Sequence, residues 1–413
     1  MKPSEKSERL DRRAFLRRGM LASLGVGVFP LTSGAQPLSS ARAEVRRYVP
    51  LGHTGIKMSD ISFGSSRLDT GEEDLVRHAC DRGINYFDTA ESYSGGDSEI
   101  TIGNALRGKR DKVYIASKVH SGAATRQEAL MATLEGSLRR LRTDYVDIYF
   151  NHAVNDVHRL QNPEWYEFAE RAKRQGKIRA TGMSGHAGHL IACLDYAIDT
   201  GSVDVILVAY NFGQDPKFYQ QFTRSFDFIA RQPDLPRVLR QAKAKGVGVI
   251  AMKTLMGARL NDMRPFEKGG GTFAQAAFRW VLSNPAVDAL IISMTSPDRI
   301  NEYLGASGWQ SAARDDLPLL QHYARMHGTS YCRHACHDCE GACPYGVPIA
   351  DVLRTRMYAQ DYGDMKLARR EYALLGAGAA ACLTCDQQPC AGACTHSLPI
   401  DTLLAPTHRM LAT

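Results

Sequence analysis

The chain has 413 residues, of which 51 are Lys or Arg and 44 are Asp or Glu, so its formal net charge is +7. Most of that excess lies in residues 1–43, which carry a net charge of +5 and leave +2 for the rest. Nucleic-acid-binding proteins present concentrated positive charge to the phosphates. The nearly neutral remainder therefore argues against nucleic acid as a partner.

The first 43 residues have the features of an export signal. Residues 11–19 read DRRAFLRRG, a twin-arginine pattern, and a moderately apolar run follows from Met20 to Leu31. That run is too short for a comfortable membrane span, and Ala41-Arg42-Ala43 offers a small-x-small cleavage site. Because twin-arginine signals direct folded proteins across the membrane, we predict that residues 1–43 are such a signal and that the protein is periplasmic. Membrane attachment is expected only if the signal stays uncleaved.

After the signal, short apolar runs typical of buried parallel strands alternate with longer amphipathic stretches, such as Arg126 to Leu141 and Ala274 to Leu282. The strand-like runs are Ile61 to Gly64, Asn85 to Asp88, Val113 to Lys118, Tyr145 to Phe150, Ile178 to Ser184, Val203 to Ala209, Val247 to Met252 and Ala289 to Ser293. This alternation predicts an α/β fold, a (β/α)8 TIM barrel, to which we assign residues 44–328. The stretch from Arg47 to Ser59 predicts a β-hairpin that closes the barrel's floor.

Four reactive side chains stand at or just beyond the ends of consecutive predicted strands. Asp88 ends the second strand, Tyr93 follows in the next loop, Lys118 ends the third strand, and His152 follows the fourth. Barrel enzymes build their sites from such positions. Taken singly, each residue also has an ordinary structural explanation: a helix cap, a solvated lysine or a core histidine.

The run GINYFDTAESYSGGDSE, followed in order by RRLRTDYVDIYFNH, GKIRATGMSGH, YNF, GVGVIAMKTL and RWVLSNPAVDALIIS, resembles the aldo-keto reductases from about residue 47 to residue 303. The resemblance implies a catalytic tetrad of Asp88, Tyr93, Lys118 and His152 that interconverts a carbonyl and an alcohol. Carbonyl reduction needs a hydride donor and a proton donor at the oxygen, and tyrosine, with a pKa of about 10, is a poor acid near neutrality. We expect Lys118 to lower the pKa of Tyr93, Asp88 to hold Lys118, and His152 to orient the carbonyl oxygen.

The resemblance also implies a nicotinamide cofactor, NADP or NAD, bound without a GxGxxG loop. The matching positions are Ser65, Ser184, Met252, Lys253, Thr254, Leu255, Ser293, Arg299 and Glu302. The chain departs from the family's pattern at Gly185, where many members have Asn, and at Leu207, where many have Gln. Ser293 and Met294 stand where some members place a Lys-Ser pair for the 2′-phosphate. We therefore predict that NADP is not strongly preferred over NAD.

Eight of the ten cysteines form two tight groups near the C-terminus. The first, C-x3-C-x2-C-x3-C-P, contains Cys332, Cys336, Cys339 and Cys343; the second, C-x2-C-x4-C-x3-C, contains Cys382, Cys385, Cys390 and Cys394. Both are similar to the bacterial ferredoxin run C-x2-C-x2-C-x3-C-P, whose fourth cysteine serves the other cluster. The sequence CPYGVPIADVLRTRMYAQDYG also resembles the ferredoxin-like extension of some aldo-keto reductases. We predict two [4Fe-4S] clusters in a small C-terminal ferredoxin-like iron-sulfur domain, residues 329–413, with a helix from Ile349 to Ala359 between the two cysteine groups.

Other interpretations of the eight cysteines remain open. Two zinc sites use similar spacing, and an exported protein could instead form four disulfides. The spacing from Cys332 to Cys339 is also that of a radical-SAM loop, although Cys343 is available as a fourth ligand. The two remaining cysteines, Cys80 and Cys193, lie in apolar helical stretches and are predicted to be inert core residues.

These patterns predict an exported oxidoreductase that acts on a small-molecule carbonyl or alcohol. The clusters would serve as an electron relay or as a structural brace, and a relay would call for a redox partner protein. The alternative function is an electron-transfer or docking module with a non-catalytic barrel. The complete tetrad favours the enzyme, whereas Leu207 and Gly185 favour the alternative. A third interpretation is a conventional reductase braced by zinc.

Overall fold

Eight parallel strands close into a barrel in which each strand pairs with the next in the chain and the last returns to the first. They are β3 (Ile61–Gly64), β4 (Tyr86–Asp88), β5 (Tyr114–Val119), β6 (Val146–Asn151), β7 (Ile178–Gly185), β8 (Val205–Ala209), β9 (Gly248–Met252) and β10 (Ala289–Ser293). Their continuous apolar sequences follow from burial on both faces, since one face fills the barrel and the other packs against helices. The predicted barrel is confirmed, with strand limits shifted by up to two residues.

The computed structural model describes residues 43–412 except residues 187 and 362 and the segments 214–233, 257–259, 268–270, 310–314, 328–331 and 333–335. The predicted signal, apart from its last residue, lies outside the described residues, as does the predicted boundary between residues 328 and 329. Residues from Arg42 to Thr413 group into one unit that includes both the barrel and the cysteine-rich region. Among the described residues, no helix is both long enough and apolar enough to cross a membrane.

A short antiparallel hairpin closes the amino-terminal end of the barrel. It consists of β1 (Tyr48–Pro50) and β2 (Lys57–Ser59), with Val49 opposite Met58. Both of those side chains are buried in the same apolar cluster as the residues that fill the barrel interior. The predicted hairpin is therefore confirmed, and the carboxyl-terminal end of the barrel is left for the site.

Helices of the barrel surround the strands. They are α1 (Glu73–Asp81), α2 (Asp97–Ala105), α3 (Gln127–Leu141), α4 (Val157–Leu160), α5 (Pro163–Arg174), α6 (Leu190–Asp199), α7 (Leu235–Ala244), α8 (Phe273–Leu282), α9 (Pro297–Leu304) and α10 (Asp316–His327). Capping residues in the sequence determine where several of these helices begin. Thr272 and Gln275 form a capping box at α8, and Ser296 caps α9, which begins with Pro297. These caps satisfy amide groups that the first helical turn leaves unpaired.

The C-terminal extension, residues 332–412, contributes α11 (Ile349–Gln360), α12 (Met365–Ala373) and α13 (Ile400–Leu411). Its first helix confirms the one predicted from Ile349 to Ala359. The extension packs on loops that follow barrel strands: Arg370 of α12 donates a hydrogen bond to the carbonyl oxygen of Ser92. Arg67 pairs with Asp364 at 3.6 Å. The extension therefore covers the carboxyl-terminal end of the barrel.

Candidate active site and cysteine groups

The structure brings the four predicted catalytic side chains together at the carboxyl-terminal end of the barrel. Asp88 ends β4, Lys118 lies near the end of β5, and His152 directly follows β6. Tyr93 begins a short 3-10 turn, Tyr93–Gly96, in the loop after β4. Parallel strands end at the same edge of a barrel, which is why residues far apart in sequence meet there.

A buried ion pair forms the base of this group. The ammonium of Lys118 donates to a carboxylate oxygen of Asp88 and, at 2.6 Å, to the carbonyl oxygen of Thr89. The same ammonium lies 4.8 Å from the ring centroid of Tyr93, whose ring meets that of His152 edge-on at 5.6 Å. Each of the four side chains therefore lies beside at least one of the others at this end of the barrel.

Desolvation controls the protonation of these groups. It raises the pKa of Asp88 and lowers that of Lys118, while each partner's charge opposes the shift of the other. Desolvation and the charge of Lys118 hold the pKa of His152 well below its usual range, so the imidazole is neutral near pH 7. A neutral imidazole can donate one hydrogen bond to a carbonyl oxygen without adding charge.

The expected lowering of the pKa of Tyr93 by Lys118 is not what the structure shows. Desolvation raises the pKa of Tyr93 well above its usual value, and the carboxylates of Asp88 and Glu371 raise it further. Asp88 neutralises much of the Lys118 charge, so little of it remains to favour the tyrosinate. Tyr93 is therefore fully protonated near neutrality, which is the form that a proton donor needs.

The tetrad lines a cavity of about 470 Å³. Most of the residues predicted to bind the cofactor line the same cavity, namely Ser65, Ser184, Met252, Lys253, Leu255, Ser293 and Arg299. Thr254 is buried beside them, and Glu302 pairs with Arg299 at 2.6 Å. The structure therefore places the candidate cofactor residues and the tetrad around one space.

Several of these side chains are already engaged within the protein. The Ser65 hydroxyl donates to the backbone carbonyl of Asp88 at 2.7 Å, and the Ser184 hydroxyl accepts from the amide of Ala153 at 2.9 Å. By contrast, the buried hydroxyl of Thr254 has no hydrogen-bond partner in the described part of the chain. A buried polar atom without a partner is costly, and Thr254 itself is not among the residues that line the cavity.

The cavity also has a wall that sequence reasoning missed. Tyr358 and Asp361, at and just after the end of α11, and Leu367 and Glu371 of α12 line it together with the tetrad. No local pattern in the sequence connects these residues with Tyr93. Their position depends on how the extension docks on the barrel, which spacing along the chain does not reveal.

The cysteines of the extension regroup across their two sequence runs. One small cavity is lined by Cys332, Cys336 and Cys339 of the first run and by Cys394 of the second. Desolvation is the main cause of the raised pKa values of Cys382 and Cys390. The charges of Cys343 and Cys385 raise both pKa values further. Cys394 of the second run thus lines one cavity with the first three cysteines of the first run, and Cys343 is within electrostatic range of Cys382 and Cys390.

None of the ten cysteines, all of which the structure describes, forms a disulfide bond. Within the described ranges, no group of three or more His, Cys, Asp or Glu side chains is positioned to hold a metal ion. The iron-sulfur clusters therefore remain a prediction. The grouping of the thiols bears on how such clusters would be held.

The other two cysteines lie in barrel helices. Cys193 is fully buried in α6, and Cys80 is partly buried in α1. Desolvation raises the pKa of Cys80 to about 11 and that of Cys193 to about 12. Both thiols therefore stay protonated and unreactive near neutrality, as the sequence predicted.

Comparison with known proteins identifies the family to which the barrel sequence is similar. The model of the "Aldo/keto reductase family" matches residues 60–268. L-galactose dehydrogenase of Arabidopsis thaliana is 26% identical over 292 residues, which cover 62% of this chain and 86% of that protein. The aldo-keto reductase YhdN of Bacillus subtilis is 26% identical over 314 residues, 66% of this chain and 92% of its own.

A solved structure shows the same barrel. It is an aldo-keto reductase from Klebsiella pneumoniae in complex with NADPH, with a TM-score of 0.53 and 24% identity, covering 69% of this chain and 96% of its own. At that identity the likeness shows the fold alone. The family match ends at residue 268, before the cysteine-rich extension begins.

Proposed function

The chain belongs to the aldo/keto reductase family and is an oxidoreductase of that type, and we propose that it interconverts a small-molecule carbonyl compound and its alcohol with a nicotinamide cofactor. One observation carries the proposal. Asp88, Tyr93, Lys118 and His152 line a single cavity together with seven of the nine candidate cofactor residues. A barrel that served only as a docking module would not need these groups around one space.

In this mechanism the bound nicotinamide supplies the hydride, and the protein controls the oxygen end of the substrate. Tyr93 donates its proton to the carbonyl oxygen as negative charge develops there. Lys118 then lies beside the resulting tyrosinate, and Asp88 keeps the ammonium in place. Neutral His152 orients the carbonyl oxygen through a hydrogen bond. In the reverse direction the same groups remove the proton of an alcohol.

The residues that would hold the nucleotide fit a phosphorylated ligand. Arg299 lines the cavity from α9, and Thr295 lines it just before the N-terminus of that helix. A helix N-terminus and a guanidinium together favour a phosphate group. NADP is not expected to be strongly preferred over NAD, because Ser293 stands where some members of the family place a lysine for the 2′-phosphate.

The C-terminal extension is proposed to hold two [4Fe-4S] clusters. The supporting observation is the cavity lined by Cys332, Cys336, Cys339 and Cys394, because exchange of the last cysteine between runs is the arrangement of two-cluster ferredoxins. Cys343 would correspondingly complete the group of Cys382, Cys385 and Cys390. Desolvation and the neighbouring thiols raise the pKa of Cys339, so the deprotonated set needs a cationic centre to stabilise it.

Export to the periplasm by the twin-arginine route is part of the same proposal. Its support is the DRRAFLRRG pattern and the need to build metal clusters before translocation. A fusion of residues 1–50 to a reporter that is active only in the periplasm tests it. Replacing Arg12 and Arg13 by lysine should abolish the signal, and a reporter that remained exported would contradict the route.

The decisive experiment on the enzyme is nucleotide binding and turnover by anaerobically purified protein. We expect NAD and NADP to bind in calorimetry and an aldehyde panel to oxidise the reduced nucleotide. Tyr93→Phe should lower kcat/KM about 10²- to 10⁴-fold, because it removes the proton donor. Failure of both nucleotides to bind at millimolar concentration would favour the docking-module alternative. The apolar side chain of Leu207, which lines the cavity, also favours that alternative.

A further inference from the structure

Lys253 is a lysine of the cavity that the proposed reductase mechanism does not use. It directly follows β9, and its partly buried side chain lines the same space as Tyr93. A lysine amine attacks a carbonyl carbon only when the amine is neutral, and an ordinary lysine, with a pKa of about 10, is almost fully protonated near pH 7. Whether Lys253 reacts with carbonyl compounds therefore depends on its surroundings.

The surroundings of Lys253 favour its neutral form. Desolvation and the guanidinium of Arg354 lower the pKa of the amine to about 7, while the carboxylate of Glu371 raises it. Desolvation opposes the charge of Arg354 as well, but the nearby charge of Asp351 raises the pKa of Arg354, so its guanidinium stays positive. About half of the Lys253 amines are therefore neutral at pH 7, compared with roughly one in 2,500 for an ordinary lysine.

The amine of Lys253 is held in a defined position. Its Nζ donates a hydrogen bond to the Tyr358 hydroxyl at 2.7 Å and lies 4.4 Å from the centroid of that ring. The backbone of Lys253 has a φ of +55°, a left-handed conformation that is uncommon for a residue with a side chain. The side chain of Asn211 donates to the Lys253 carbonyl oxygen at 3.0 Å. Backbone strain persists where such contacts hold it, and it is concentrated at functional sites.

This geometry suits the formation of an imine. Because Lys253 meets Tyr358 through an N–H bond, the lone pair of the neutral amine remains available to a carbonyl carbon. Attack forms a C–N bond and moves the carbonyl electron pair to the oxygen, which takes a proton to give a carbinolamine. Loss of water then gives the imine, so one amine and one carbonyl compound yield one imine and one water. A phenol both donates and accepts, so Tyr358 is placed to take the proton that the nitrogen gives up.

We propose that Lys253 is a carbonyl-reactive lysine that binds aldehydes and ketones reversibly as an imine, with Tyr358 as its proton-transfer partner. This second way of binding a carbonyl compound needs no nicotinamide and does not depend on the reductase proposal. It gives the extension a part in the chemistry, because Tyr358, Arg354 and Glu371 all belong to α11 and α12. Lys253 is also one of the candidate cofactor residues, so a bound nucleotide would shield the amine.

Reductive trapping tests the proposal. Full-length protein freed of nucleotide is incubated at pH 7 with butanal and sodium cyanoborohydride, which reduces an imine to a stable butylamine. Peptide mass spectrometry then gives the rate of butylation at each lysine. We expect Lys253 to react at least about tenfold faster than Lys366, whose side chain is 68% exposed. The rate at Lys253 should rise with pH and level off above about pH 7, whereas an ordinary lysine gains neutral amine up to about pH 10.

Three variants examine the surroundings of the amine. Tyr358→Phe removes only the hydroxyl and should slow butylation of Lys253 by about fivefold or more. Tyr345→Phe makes the same deletion at a phenol that is 63% exposed, and it should leave the rate unchanged. Arg354→Met removes the guanidinium that lowers the pKa of Lys253, so the rate should level off at a higher pH than in the wild type.

The outcomes distinguish this proposal from the reductase. Equal rates at Lys253 and Lys366, or preferred butylation of Lys118, overturn the carbonyl-reactive lysine. A rate that Tyr358→Phe leaves unchanged overturns the role of the phenol. Protein that is butylated first at Lys253 but binds no nucleotide and reduces no aldehyde supports the imine site and refutes the reductase.

Discussion

Replacing Lys118 by methionine removes the ammonium that lies 4.8 Å from the Tyr93 ring and should slow carbonyl reduction. Reduction leaves a negative charge on the Tyr93 oxygen. At an effective dielectric constant of about 20, two unit charges about 5 Å apart interact by about 3 kcal/mol. The opposing charge of Asp88 cancels much of that contribution, so we expect a loss of about 1 to 2 kcal/mol, or roughly 5- to 30-fold in rate.

Single-turnover kinetics measure this loss. Anaerobic protein loaded with reduced nicotinamide is mixed with saturating aldehyde, and the nicotinamide absorbance is followed for Lys118→Met, Tyr93→Phe and the double variant. If Lys118 acts through the Tyr93 oxygen, it has nothing to stabilise once that oxygen is gone. The double variant should then react within about threefold of Tyr93→Phe alone, since effects of residues that act as a unit are not additive. Losses that multiply would refute the proposed role of Lys118.

Stability must be followed in parallel, because Lys118→Met leaves the buried carboxylate of Asp88 without its partner. Breaking a buried ion pair on one side costs roughly 3 to 5 kcal/mol. The pair Lys118→Met and Asp88→Asn removes both charges and should recover most of that stability in thermal unfolding. The kinetic comparison repeated in this background separates lost catalysis from lost folding.

Three further predictions follow from the pKa shifts, the cysteines and the packing. Tyr93 must be protonated to donate its proton, and desolvation raises its pKa. The rate of the chemical step should therefore stay constant from about pH 7 to 9 and fall only above the usual tyrosine pKa of about 10. A fall below pH 8 in the pH–rate profile would contradict this. Protein made without oxygen should contain about eight iron and eight sulfide per chain, and Cys394→Ser should selectively change the spectrum of one cluster; stoichiometric zinc without sulfide would exclude the clusters. Arg279→Met should lower the free energy of unfolding by roughly 3 to 5 kcal/mol, because Asp316, which is almost fully buried, loses the guanidinium with which it pairs at 2.7 Å. Arg77→Met breaks an exposed ion pair and should change the free energy of unfolding by less than about 1 kcal/mol. Denaturant titration measures both changes.

The barrel was predictable because its signals are local. Continuous apolar runs give strands buried on both faces, and the runs ending at Gly64 and Ser293 coincide with β3 and β10. The meeting of Asp88 and Lys118 also followed from topology alone, since parallel strands end at one edge. The hairpin and α11 were found for the same reason, because each is fixed by its own short sequence.

The features that sequence reasoning missed depend on long-range packing. Tyr358 and Glu371 reach the cavity only because the extension docks on loops of the barrel. Desolvation raises the pKa of Tyr93, and Asp88 offsets much of the Lys118 charge that would lower it. The extent of desolvation depends on how the folded chain encloses the side chain, which residue type alone does not predict. The sequence likewise left open which cysteines stand together. The exchange of Cys343 and Cys394 between groups appears only when the extension is folded.

The cavity is divided between two parts of the chain. The tetrad belongs to the barrel, which this protein shares with L-galactose dehydrogenase and with YhdN over nearly their whole lengths. Tyr358 and Glu371 belong to the extension, which lies beyond the family match. A change in α11 or α12 would therefore reshape one wall of the cavity and leave the strands that carry Asp88 and Lys118 as they are.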